Sequence, residues 1–184
     1  MSIFAFPSGG SSDMKLIFST TLTSDADTIS TGTLATGYRD LVLVTSLRSD
    51  RVSPFGTGVN LEFNGDTSVS NYQYVRMGVQ NATPFGQSSN SSTFITNTTS
   101  LDSGNVQWFS GSETRIFDYE SNTKYKSYLT IDTSQLSSTM TNNFVNHIGS
   151  VWRNTAAITS ILLRISTAGA GFAAGSKIAV YGVK

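Results

Sequence analysis

The segment Val59-Asn-Leu-Glu-Phe63, followed directly by Asn64-Gly65-Asp66, decides the fold class of this chain. Apolar and polar residues alternate along its first part, which is the period of a β-strand with one face in a core. The Asn-Gly-Asp sequence tolerates positive φ and predicts a tight turn. A strand that ends in such a turn indicates a β-rich architecture.

Segments of the same kind recur along the chain. The apolar run Leu41-Val-Leu-Val-Thr-Ser-Leu47 is typical of a central strand, and strands are also predicted over Ile158–Ile165 and Lys177–Val183. Further predicted strands span residues 15–19, 72–77, 93–97, 106–109, 114–119, 124–131 and 145–152. About ten strands without a convincing amphipathic helix predict an all-β sandwich or barrel.

The 184 residues fit a single domain, which we predict over residues 14–184. Residues 1–13 precede it and end in a Gly/Ser-rich linker composition. Ahead of that linker, Ile3, Phe4 and Phe6 make the segment too apolar for an ordinary exposed tail. Two interpretations stay open, a frayed terminus or a short arm that docks on a neighbouring subunit.

Charge and cysteine content exclude several function classes. The chain has 12 Lys and Arg against 12 Asp and Glu, without the basic excess of a nucleic-acid-binding protein. No apolar run reaches the roughly 18 residues of a membrane span, and the N-terminal residues lack the pattern of a signal peptide. The absence of cysteine excludes disulfides and thiolate chemistry. We therefore expect no nucleic-acid or membrane partner, and a protein made and assembled inside a cell.

Candidates for catalysis and metal binding are few. His147 is the one histidine, and it lies on a predicted strand without a nucleophile motif, which favours a structural or interface role. Asp25, Asp27 and Asp66 lie in turn sequences that could hold calcium, but none matches an EF-hand loop and Asx turns explain them equally well. The stretch Ala168–Gly175 is followed by a strand instead of a helix, which indicates a turn instead of a phosphate loop. We expect no enzymatic activity, no cofactor and no metal.

Aromatic residues are the stronger candidates for recognition. Because they are too numerous for every ring to fit in one core, some are expected on the surface. Tyr72, Tyr74, Trp108 and Tyr128 are the candidates for stacking on a glycan or a partner protein, since rings edged by Asn, Ser and Thr suit both. The alternative is that these rings fill the sandwich. The polar stretch Gly86–Ser103 predicts a long surface loop with a short strand inside it.

Several short motifs resemble a family of small virion structural proteins of tailed bacteriophages and prophages. The similarity runs from about Lys15 to Lys184, and the order and co-occurrence of the motifs make it fairly specific. The motifs are Tyr38–Val44, Leu47–Arg51, Leu61–Thr67, Asn71-Tyr72, Tyr125–Tyr128, Trp152 with Thr155–Ile161, Phe172–Ser176 and Tyr181–Lys184.

The resemblance implies a jelly-roll-like antiparallel β-sandwich exposed on a phage particle that is assembled in the host cytoplasm. The resemblance implies no catalytic residues in this chain. One role is a capsid decoration or cement protein that binds the major capsid protein or other virion proteins through its arm and sandwich edges, as a homo-oligomer. A trimer would suit three-fold capsid positions, although no residue pattern specifies one. The alternative role is a tail or fibre tip that recognises a host-surface glycan or protein.

Overall fold

The computed structural model describes residues 13–51, 57–90, 93–98, 108–134 and 143–184. Within these ranges the regular elements are twelve β-strands and one short 3-10 turn at Val69–Asn71. The strands are β1 (Met14–Thr21), β2 (Thr28–Ser30), β3 (Asp40–Leu47), β4 (Thr57–Phe63), β5 (Tyr72–Gln80), β6 (Thr83–Ser89), β7 (Phe94–Thr98), β8 (Ser110–Ile116), β9 (Lys126–Ser134), β10 (Phe144–Trp152), β11 (Ile161–Ile165) and β12 (Lys177–Val183).

The strand order is that of a jelly roll. Its two halves are β1-β12-β3-β8 and β2-β11-β4-β7, and all neighbours are antiparallel. Each half places strands from the end of the chain beside strands from its start, the connectivity of two Greek keys. The predicted all-β jelly-roll-like sandwich is confirmed, with twelve strands where about ten were expected.

Four further strands widen one half of the sandwich. β9, β10, β5 and β6 continue the sheet beyond β8, so this sheet has eight strands and the facing sheet has four. We call these strands the four-strand extension. They enter as two antiparallel pairs of consecutive strands, β5–β6 and β9–β10, inserted between strands of the jelly roll. One sheet is therefore twice as wide in strands as the sheet that covers it.

The core lies between the two sheets and takes alternate residues from each strand. The predicted alternation of β4 is confirmed, because Val59, Leu61 and Phe63 are fully buried. Burial of each such side chain contributes about 1.5–3 kcal/mol relative to exposure. Other core residues are Leu41, Leu43, Ile116, Ile161, Leu163, Ile165, Ile178 and Val180.

The turn predicted after β4 is present. Asn64 and Gly65 have φ values of 55° and 70°, in the left-handed region that glycine and asparagine adopt with least strain. The Asn64 side chain donates to the carbonyl oxygen of Ala157 at 2.8 Å and accepts from the backbone N–H of Thr159 at 2.7 Å. The turn thereby fixes the segment that leads into β11.

The glycine-rich stretch Ala168–Gly175 is a turn region, as predicted. Phe172 exchanges two backbone hydrogen bonds with Ala26, at 2.7 and 2.9 Å. Asp50 Oδ1 accepts from the N–H of Gly171, and Asp25 Oδ1 accepts from the N–H of Ala174, both at 2.8 Å. These contacts join the loop before β12 to the loops that follow β1 and β3.

Some strand predictions were wrong. Trp108 and Phe109 belong to no strand, because β8 begins only at Ser110. β2 and β6 were not predicted, and the first residues of the predicted 86–103 loop belong to β6. β5 does not pair with β4, the strand before it in the chain, but lies in the other sheet between β10 and β6. Residues 1–12, with Ile3, Phe4 and Phe6, lie outside the described residues.

Candidate interaction surface

The inner face of the four-strand extension is unusually polar for a buried surface. On β9 the buried positions are Lys126, Tyr128, Thr130, Asp132 and Ser134. Asn146 on β10 is fully buried beside them, and its side-chain amide donates to Asp132 Oδ1 at 2.6 Å. Thr130 and Lys126 are likewise hydrogen-bonded, whereas the buried Ser134 hydroxyl and Asn146 Oδ1 have no partner among the described residues.

The outer face of the same strands is apolar. Its exposed side chains include Met77, Val75 and Val145, with relative exposures of 67%, 63% and 52%. We call the following six exposed residues the outer patch: Val75, Met77, Val79, Leu129, Ile131 and Val145. On β10, Val145 lies directly beside Val79, while His147 separates Met77 from Ile131 and Gly149 separates Val75 from Leu129, so the patch spreads over three neighbouring strands. The outer face is thus apolar at these positions, whereas the inner face combines the buried polar residues above with the rings of Tyr72, Tyr74, Tyr128 and Trp152.

His147 lies at the centre of the outer patch. It faces Met77 on β5 and Ile131 on β9, and it is exposed. The outward positions of β5, β9 and β10 carry no Asp, Glu, Lys or Arg. The nearest charged residues in the sheet are on the next strand, β8, where Glu113 lies beside Ile131 and Arg115 lies beside Leu129. The outer patch is therefore free of carboxylate, ammonium and guanidinium groups, and it has a charged border on one side.

Arg115 is held away from the outer patch by Asp40. Its guanidinium donates to Asp40 Oδ2 at 2.8 Å, and Arg39 donates to the same oxygen at 3.0 Å. Burial raises the pKa of Asp40, but hydrogen bonds from Arg115, from Arg39 and from the backbone N–H of Asp118 more than offset it. The pKa of this carboxyl group lies below its ordinary value, so Asp40 is ionised at neutral pH.

The aromatic candidates from the sequence are mostly in the core. Tyr72, Tyr74 and Tyr128 have relative exposures of 0%, 8% and 2%, so the prediction that they stack on a glycan or partner is wrong. Tyr72 and Tyr128 pack with Phe63 and Trp152 in one buried cluster, in which Phe63 lies 5.3 Å from Trp152 and 5.5 Å from Tyr128 between ring centroids. Such offset and edge-on pairs add to the burial of the rings.

Hydrogen bonds at the polar ends of two rings fix this aromatic cluster. The hydroxyl of Tyr72 accepts from the N–H of Phe63 at 3.0 Å and donates to the carbonyl oxygen of Asp66 at 3.1 Å. The indole N–H of Trp152 donates to Asp66 Oδ2 at 2.8 Å. Trp108, the remaining candidate, is half-buried just before β8. In the described part of the chain, these four candidates form no aromatic platform of the predicted kind.

Two of the carboxylates considered for calcium accept hydrogen bonds, Asp25 from the N–H of Ala174 in a distant loop and Asp66 within its own turn. Besides the indole of Trp152, Asp66 accepts from the Asn71 amide at 2.9 Å and from the N–H of Ser68 at 3.0 Å. These hydrogen bonds lower the pKa of Asp66 in spite of its burial. In the described ranges no three His, Cys, Asp or Glu side chains form a group that could hold a metal ion. Nor does the described part contain a helix long and apolar enough to cross a membrane.

Comparison with known proteins adds no family. No family model and no curated protein matches the chain. A solved structure titled "Crystal structure of human SPRY domain" is similar over 88% of this chain and 95% of its own, with 6% sequence identity and a TM-score of 0.21. A likeness of that size carries no argument about fold or function. The resemblance to phage virion proteins stays a prediction.

The outer patch was missed in the sequence, although a signal for it exists. Val75, Met77 and Val79 alternate with Tyr74 and Arg76. Period-two alternation identifies two faces but not which of them is buried, and a shift of one residue exchanges them. The aromatic cluster around Phe63 fixes the register and places the tyrosine side of β5 inside.

Proposed function

We propose that this chain is a structural protein on the surface of a tailed-bacteriophage particle, acting as a capsid decoration or cement protein. In this role the domain binds virion proteins and catalyses nothing. The resemblance of its motifs to small virion proteins supports the proposal. The jelly-roll fold alone does not, because this fold hosts many unrelated functions.

The observation that carries the proposal is the outer patch. Exposed apolar side chains that gather over three neighbouring strands, instead of lying singly, mark a candidate protein interface. The neutral surface around His147 suits burial, because no carboxylate or guanidinium on the outward face of β5, β9 or β10 would lose its hydration. The face is built to be covered by another protein.

Recognition of a host glycan by a tail or fibre tip is the weaker role. Of the rings predicted to stack on a sugar, Tyr72, Tyr74 and Tyr128 are buried, and the exposed rings of Tyr125 and Phe117 lie outside the outer patch. The outer patch has no aromatic ring and no side-chain amide among its six members, so it lacks the groups that stack on and hydrogen-bond to sugars.

Localisation of the protein on purified particles tests the proposal. An antibody or affinity label on the chain should decorate the icosahedral shell in electron micrographs, and the chain should remain with particles through density-gradient purification. Labelling of the tail tip would favour the receptor role instead. Absence from washed particles would overturn both virion roles.

A glycan array with purified protein gives a second readout. We expect no selective binding, because the candidate stacking residues Tyr72, Tyr74 and Tyr128 are inside the domain. Strong binding to one glycan class would contradict the decoration role.

A further inference from the structure

We infer that the outer patch of one copy is covered by the apolar segment Ile3–Phe6 of a neighbouring copy. This inference rests on the proposed function in that it names the partner of the same surface. Each copy would then carry both halves of the contact, an arm and a receiving face.

The N-terminal segment and the outer patch match chemically. Residues 1–12 contain no Asp, Glu, Lys, Arg or His, and their bulky apolar side chains are Met1, Ile3, Phe4 and Phe6. The outer patch is equally uncharged and consists of aliphatic and thioether side chains. Apart from His147, neither side carries an ionisable side chain, whereas a charged occupant would have to lose its hydration. Met77, the most exposed member, adapts readily to aromatic rings.

The N-terminal segment joins the domain far from the outer patch of the same copy. The described chain begins at Asp13, next to β1, which is the edge strand of the eight-stranded sheet. β9 is four strands away from β1 and β5 is six strands away. At about 4.8 Å per strand these separations are about 19 and 29 Å.

Linker length then favours a neighbouring copy over the same copy. The chain from Phe6 to Asp13 reaches at most roughly 24 Å when fully extended. A flexible Gly/Ser-rich linker of that length has an end-to-end distance of only about 15 Å. To reach β9 of its own domain, the linker would have to span at least about 19 Å, close to its fully extended length of roughly 24 Å. A second copy placed beside β1 brings its outer patch within ordinary reach.

Disulfide trapping between two variants tests this directly, because the chain has no cysteine of its own. One variant is Ala5→Cys, which keeps Ile3, Phe4 and Phe6. The other is Thr133→Cys, at an exposed position that borders the outer patch beside Val145. When the two purified proteins are mixed under mild oxidation, we expect a covalent heterodimer at least tenfold above the matched control.

The control replaces Thr133→Cys with Ser166→Cys, an exposed serine that follows β11 in the four-stranded sheet. Adding Met77→Lys to the Thr133→Cys variant should remove the excess of heterodimer, because a lysine would meet the apolar arm. Equal cross-linking to positions 133 and 166 would overturn the inference. So would an intramolecular disulfide in the Ala5→Cys, Thr133→Cys double variant at high dilution, since the arm would then cover its own domain.

These measurements use purified protein alone, so they are separable from the proposed function. Trapping without incorporation into particles would support arm exchange and contradict the virion role. Incorporation without trapping would support the virion role and leave a different virion protein as the occupant of the outer patch, which overturns the inference.

Discussion

Asp40 is a buried carboxylate whose partners remain in water. Its own side chain is 4% exposed, while those of Arg39 and Arg115 are 60% and 41% exposed. Replacement Asp40→Asn removes the charge but strands no buried cation. We therefore expect a loss of about 1.5–3 kcal/mol in the free energy of unfolding at neutral pH, the range for hydrogen bonds to charged groups. Urea denaturation measures it.

The pH dependence of stability follows from the lowered pKa of Asp40. The contribution of this carboxylate is fully present above its unfolded pKa of about 3.9, and it is lost as the pH falls through the lower folded value. Under acidic conditions, the free energy of unfolding of the Asp40→Asn variant should therefore approach that of the unmodified protein. A gap that is constant from neutral to strongly acidic pH would contradict this assignment.

Asp118→Asn is the matched control for Asp40→Asn. Asp118 pairs with Lys124 at 3.1 Å, but both side chains are largely exposed, and only the backbone N–H of Asp118 contacts Asp40. Exposed pairs of this kind contribute about 0–1 kcal/mol. We expect little change in the free energy of unfolding measured in urea. A loss as large as that of Asp40→Asn would contradict a special role for the buried Asp40 carboxylate.

Gly182 on β12 lies against the ring of Tyr38. A Cβ at position 182 would overlap the Cγ and both Cδ atoms of that ring. Gly182→Ala should lower the free energy of unfolding by about 1–3 kcal/mol, as overpacking does. Part of this loss should return in the Tyr38→Ala background, because the ring is then absent. Gly149→Ala is the control, since a Cβ at position 149 would meet no atom within 4 Å.

At the scale of elements, the inner and outer faces of the four-strand extension can be compared by replacing one isoleucine on each. Ile148 on β10 is fully buried, whereas Ile131 on the neighbouring β9 is 37% exposed in the outer patch. Ile148→Ala should reduce the free energy of unfolding by about 2–5 kcal/mol. Ile131→Ala should have a clearly smaller effect in thermal and urea denaturation. Equal losses would mean that the outer patch is already covered within one copy.

The sequence predicts most of the jelly-roll strands because their alternation or apolar runs are strong. β6 escapes prediction since Pro84 and Gly86 interrupt it, which an edge strand tolerates. β2 has only three residues, too few to establish a period. The outer patch escapes for a different reason, because it depends on which face of β5 the aromatic cluster around Phe63 buries. That choice is made by contacts between distant strands.

At the scale of the whole molecule, arm exchange predicts that assembly and stability are separable. Deletion of residues 1–12 leaves β1 intact, since β1 begins at Met14. The melting temperature of the isolated domain should change little, while light scattering should show monomers in place of the full-length oligomer. The truncated protein should also fail to enter particles. Normal incorporation of the truncated protein would rule out a role for the arm.

The jelly-roll order also determines when the protein can finish folding. β11 lies between β2 and β4, and β12 lies between β1 and β3, so the last strands of the chain are interior strands of both sheets. A ribosome-bound chain therefore holds two incomplete sheets with open edges until its C-terminal residues emerge. Contacts of such long sequence separation form slowly. The sandwich can close only after β12 has left the ribosome, and until then the open strand edges favour aggregation of the nascent protein.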